Sequence, residues 1–76
     1  MIDEAAIQKA EKRWVGKCVY VFRGWYEGHW GYVARAESET SFVIRGGTLG
    51  NSEPIIERED FRGMRAPDAN HFERKG

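Results

Sequence analysis

The spacing of hydrophobic positions changes once along this chain, at Gly16. Before it, Ile7, Ala10 and Trp14 recur at i, i+3 and i+7 with Ala6 beside them, which is one face of a helix. The pattern predicts a helix from Asp3 to about Val15. Asp3 has the short acceptor side chain of an N-cap. Ile2 and Ile7 stand at the two positions of a hydrophobic staple. Glu4 opens the segment while Lys12 and Arg13 close it, the order that the helix dipole favours. Gly16 then supplies the stop. A helix this short is marginal alone, so its Ile7/Trp14 face requires a surface, either the rest of the chain or a partner.

After Gly16 the pattern alternates. Strands are predicted at Lys17–Arg23, His29–Ala36, Ser41–Arg45 and Pro54–Arg58, with Pro54 at a strand start, where its missing N–H is tolerated. Between them lie a loop bounded by Gly24 and Gly28, a polar turn at Glu37–Thr40, and a turn-rich stretch from Gly46 to Ser52. Glu59–Arg62 reads as a single 3₁₀ turn and Gly63–Ala66 as a short fifth strand. From Pro67 onward the chain is polar, with His71 and Phe72 the only residues there suited to packing. Five short strands with a 3₁₀ turn before the last resemble an SH3-like barrel. The expected organisation is a helix at 1–15, a mainly β, five-stranded barrel at 16–66 and a polar tail at 67–76.

The run Gly16-Lys17-Cys18-Val19-Tyr20-Val21-Phe22-Arg23-Gly24-Trp25-Tyr26-Glu27-Gly28-His29-Trp30-Gly31-Tyr32-Val33 resembles the KOW motif of NusG-type transcription factors and several ribosomal proteins. Its features are the alternating Val19 and Val21, then Gly24, Gly28 and Gly31, then Val33. Val19, Val21 and Val33 would face the core. Gly24 and Gly28 allow the turn between strands, and Gly31 allows a bulge or a close strand approach. In KOW proteins the loop after the first strand and the neighbouring face contact RNA or another protein. Carried over, the resemblance implies contacts from Arg23, Trp25, Tyr26, His29 and Trp30. Trp25-Tyr26-Glu27 departs from the basic or small residues common in that family, which favours stacking or protein contact over phosphate binding. Type II dihydrofolate reductases are SH3-like barrels as well, but their Val-Gln-Ile-Tyr strand corresponds here to Glu53-Pro54-Ile55-Ile56, without the Gln or the Tyr.

Composition narrows the function classes. The 76 residues suffice for one domain, and three Trp, three Tyr and four Phe enlarge a core that would otherwise be marginal. The net charge is zero, against the positive excess of a strong non-specific nucleic-acid binder, although a local basic face from Arg23, Arg35 and Arg45 remains open. The lone Cys18 forms no disulfide within the chain and reads as a buried apolar residue. His29 and His71 lack the spacing of metal ligands. Gly46-Gly47-Thr48-Leu49-Gly50 lacks the Lys-Ser/Thr of a phosphate loop. No catalytic constellation, cofactor motif, signal peptide or membrane span is legible, so the expectation is a cytoplasmic, non-enzymatic binding module. Its partner is RNA or DNA, associated with transcription or translation. The alternative is a protein–protein adaptor or inhibitor, of the kind mobile elements encode, using the Trp-rich loop and the acidic segment around Glu53, Glu57, Glu59 and Asp60.

Overall fold

A computed structural model describes residues 4–65 of the chain. The proposed Asp3 cap, the Ile2 half of the staple and the tail with His71 and Phe72 lie outside the described residues. Within them, helix α1 (Glu4–Trp14) precedes five strands: β1 (Cys18–Val21), β2 (Trp30–Ala36), β3 (Ser41–Arg45), β4 (Ile55–Glu57) and β5 (Phe61–Gly63). Short 3₁₀ helices occupy Gly47–Leu49 and Arg58–Asp60. All pairings are antiparallel, in the order β4-β3-β2-β1-β5.

The two edge strands, β4 and β5, are consecutive in the chain, and this dictates the shape. A flat sheet of five strands would hold its edges about 19 Å apart. Only the three residues Arg58–Asp60 separate Glu57 from Phe61, and a 3₁₀ path of that length covers about 8 Å. The sheet therefore rolls until its edges approach at one corner. Its ladder stays open, because no register joins β4 to β5 among the described residues.

The inside of the roll is the core. Val19, Val21, Val33, Ala36, Phe42, Ile44, Leu49, Ile56 and Phe61 are all buried there, with Trp14 laid over them from α1. Trp14, Phe42 and Phe61 form a triangle of tilted and edge-to-face rings with centroids 5.3 to 6.3 Å apart, the arrangement that ring quadrupoles prefer. Ile7 and Ala10 pack against this cluster, so the amphipathic face of the helix is satisfied by the sheet. Glu11 adds a polar tie, its Oε2 accepting the backbone N–H of Ala36 at 3.2 Å.

The end of the chain's β region is corrected. The 3₁₀ turn and the fifth strand both begin earlier than the sequence pattern implied, at Arg58 and Phe61. Phe61 is a core residue of β5, opposite Val21, and burying its ring outweighs the polar character of its neighbours. Of the two roles open to Gly31, a bulge or a close strand approach, the bulge lies elsewhere, between Val33 and Arg35. Gly31 serves the close approach instead, since a Cβ there would fall 2.7 Å from the Arg45 carbonyl oxygen.

Candidate functional site

Registered partners on adjacent strands share a face of the sheet, so the register defines the outer face. Tyr20 on β1 lies opposite both Trp30 on β2 and Arg62 on β5. Tyr32 lies opposite Cys18 on one side and Arg45 on the other. Arg35 lies opposite Val43, which lies opposite Ile55. The face turned away from the core thus carries Tyr20, Trp30 and Tyr32, with Arg35, Arg45 and Arg62 set among them.

The bulge at Ala34 puts Arg35 there. Strict alternation would have turned Arg35 inward with Val33. One extra residue shifts the phase, so Arg35 points out and Ala36 goes into the core.

The aromatic rings of this face are held by specific contacts. Trp30 and Tyr32 meet edge-on at 5.9 Å between centroids. The Arg62 guanidinium lies 5.6 Å from the centroid of Tyr20, a cation–π distance. Thr48 fixes the start of β2: its Oγ1 accepts the Trp30 N–H at 2.9 Å and donates to the Trp30 carbonyl at 3.3 Å. His29 Nδ1 lies 3.1 Å from the same hydroxyl, which ties the base of the loop to the turn after β3.

The outer face carries mixed charge: Glu57 on β4, opposite Ser41, shares it, and two of its three arginines have carboxylate partners. Arg35 is paired with Glu37 at 3.2 Å, and Arg45 reaches Glu53 only at 3.8 Å. Both pairs are exposed, so each contributes little and yields readily to a competing anion. Arg62 has no carboxylate within ion-pairing distance among the described residues. Beside Tyr32 opens a hollow of about 510 Å³ lined by Cys18 and Met64 and rimmed by Lys17 and Arg65. Burial raises the pKa of the Cys18 thiol, which keeps it protonated and unreactive at neutral pH.

The loop between β1 and β2 is a different surface. Trp25 is 100% exposed and Tyr26 is also exposed, its ring 6.3 Å from that of His29. Arg23 is held by the Asp60 carboxylate at 2.8 Å and by Glu59 at 3.1 Å. The hydrogen bond and charge of Asp60, with Glu59 adding to them, push the Arg23 guanidinium pKa higher still. Of the residues singled out from the sequence, Trp30, Arg35 and Arg45 share the outer face, whereas Arg23, Trp25, Tyr26 and His29 belong to the loop and its base.

Tyr32 joins Trp30 on the outer face, as alternation opposite Val33 requires, whereas Tyr20 and Arg62 were not among the expected site residues. Tyr20 was accessible to sequence reasoning, because Val19 and Val21 pointing inward turn it outward. Arg62 was obscured by its assignment to the turn rather than to β5. Among the described residues, no three His, Cys, Asp or Glu side chains gather as a metal site, and no helix is long and apolar enough to cross a membrane. No protein-family model matches this chain, and no curated protein or solved structure resembles it significantly.

Proposed function

We propose that this chain is a non-enzymatic binding module that takes single-stranded nucleic acid on its outer sheet face, and that its rolled sheet is an SH3-like barrel of the KOW type. The observation that carries this reading is the grouping of Tyr20, Trp30 and Tyr32 with Arg35, Arg45 and Arg62 on one face. Aromatic faces stack on unpaired bases for about 1–3 kcal/mol per base, whatever the sequence. Guanidinium groups set between them meet the phosphates. The hollow beside Tyr32 has room for a base, with Lys17 and Arg65 at its rim. A net charge of zero is compatible with this, because Glu59 and Asp60 are spent on Arg23 at the loop, while Glu37 and Glu53 hold Arg35 and Arg45 only in exposed pairs that a phosphate can displace. For the barrel, the support is the three-residue passage from one edge strand to the other, together with the KOW-like run.

The fully exposed Trp25 carries a second reading. It stands in a loop whose one arginine is already engaged and which also contains Glu27. Such a loop is better matched to a protein surface than to phosphate, and makes the chain an adaptor or inhibitor.

Fluorescence anisotropy separates the two. Labelled single-stranded RNA, single-stranded DNA and duplex DNA are titrated at about 50 and 200 mM salt. Preference for single strands, steep weakening with salt, and loss in Arg62→Glu and Tyr20→Ala are the outcomes expected for the outer face. Absence of binding at the lower salt rejects that reading and leaves the Trp25 loop and a protein partner.

A further inference from the structure

A second surface, on the helix side of the sheet, has its own chemistry. A groove of about 440 Å³ runs between α1 and the sheet. Its floor is Ala6 and Ala10, small side chains that leave room, together with the edge of Trp14. Its cations are Lys9, Arg13 and Arg58. A neighbouring hollow shares Ala6, Lys9 and Glu39 and adds Lys12, so the basic rim continues along the helix. None of these four cations forms an ion pair among the described residues, and Glu39 is the one carboxylate that lines either hollow.

The position of Arg58 is fixed. Its Nη1 donates to the Phe61 carbonyl at 2.8 Å, and its guanidinium lies 4.3 Å from the Trp14 ring centroid. A guanidinium held this way has already given up most of its freedom, so an incoming carboxylate finds it pre-organised.

We infer that this groove docks an acidic peptide segment of a partner protein, with aliphatic side chains on the alanine floor and carboxylates on Lys9, Arg13 and Arg58. Charge complementarity commits the occupant to an anion. The state of Trp14 decides which kind. Its ring is stacked by Arg58 and met edge-on by Phe61, and it is almost wholly buried. It has no open face for a base, so the stacking that holds single-stranded nucleic acid is unavailable here. The apolar floor and the rim of mixed charge around Glu39 suit a peptide that alternates apolar and acidic residues. This groove is independent of the outer sheet face, and either surface can fail its test without affecting the other.

The test uses the full-length chain labelled with ¹⁵N and a capped peptide of alternating Glu and Leu, with a Gln/Leu peptide as control. The Glu/Leu peptide is expected to shift the Lys9 and Arg13 amides and the Trp14 indole N–H, and the control to leave them unmoved. The double reversal Lys9→Glu/Arg13→Glu, at exposed positions and in a fold shown intact by its spectrum, is expected to weaken binding about tenfold. Arg58→Gln, in a fold shown intact by its spectrum, is expected to weaken it as well. Equal binding of the two peptides, unmoved resonances, or undiminished binding by the charge-reversed variant each overturns the proposal. Displacement of the peptide from these resonances by a single-stranded oligonucleotide also overturns it, and reassigns the groove to a nucleic-acid backbone.

Discussion

Trp30 packs against the backbone of Gly47 so closely that a Cβ at residue 47 would fall 2.7 Å from its indole. Gly47 also has φ near +53°, a conformation that side-chain-bearing residues rarely adopt. The turn after β3 therefore seats the largest ring of the outer face. Gly47→Ala is expected to cost about 1–3 kcal/mol in urea unfolding, through backbone strain and overpacking. Because Trp30 must move, intrinsic fluorescence of the folded variant should differ from that of the parent. An unchanged midpoint and spectrum would show that the turn does not hold Trp30.

Trp14 is the link between helix and sheet. Its truncation to Ala removes a ring that touches both Phe42 and Phe61, for an expected loss of about 3–5 kcal/mol. A domain of this size has only about 4–11 kcal/mol in total. Trp14→Ala should therefore be largely unfolded at modest urea, and deletion of residues 1–15 should do the same. A deletion variant that melts with the parent would mean that the helix contributes nothing to the sheet.

The chain shows what hydrophobic pattern encodes and what it leaves out. Ile7, Ala10 and Trp14 specified a helical face, and Val19, Val21 and Val33 specified an inner face, because burial selects the period directly. Strands β2 and β3 were legible for the same reason. The last strand was displaced because Phe61 is embedded in Arg58-Glu59-Asp60-Phe61-Arg62, where polar neighbours mask a single buried ring. That displacement hid Arg62, since moving a residue between turn and strand decides whether it has a face at all. The bulge left no compositional trace either: it falls at Ala34, not at a glycine, and it alone turns Arg35 outward. The pairing of Arg23 with Asp60 spans a sequence separation of 37 residues, which no local pattern reports.

Cys18 offers a measurement tied to pH. Burial raises its pKa, so the folded state favours the protonated thiol more than the unfolded chain does. Its contribution is complete below the ordinary thiol range and is lost as pH rises through about 8.5 and on through the higher folded value. Stability of the parent should thus fall faster between about pH 8 and 10 than that of Cys18→Ala, measured by urea unfolding at each pH. Alkylation by iodoacetamide at neutral pH should be slow in the folded chain and rapid in urea. Equal rates in both would contradict a buried, protonated thiol.

Trp25 tests the loop without disturbing the fold. Its side chain is fully exposed, so Trp25→Ala should leave the unfolding midpoint within about 0.5 kcal/mol of the parent. Any loss of binding in this variant then reports on contact by the loop itself. If Trp25→Ala lowers stability by more than that margin, the indole is packed rather than free.

Arg23 gives the sharpest contrast between the sequence resemblance and the structure. The resemblance implies a contact from Arg23 to RNA or another protein, but Asp60 and Glu59 already occupy its guanidinium. A phosphate approaching Arg23 must displace one carboxylate and tolerate repulsion from both. Arg23→Ala should therefore change single-stranded RNA affinity less than Arg62→Glu does. Asp60→Asn removes one of the two charges and loosens the grip on the guanidinium, so it should raise affinity about twofold to fivefold at low salt. The gain should shrink as salt screens the remaining charges. Anisotropy titrations of the parent, Arg23→Ala, Asp60→Asn and the double variant form a cycle in which Asp60→Asn has its full effect only when Arg23 is present. If Arg23→Ala abolishes binding while Asp60 is intact, the guanidinium exchanges its carboxylates for phosphate, and the loop rather than the outer sheet face is the primary contact.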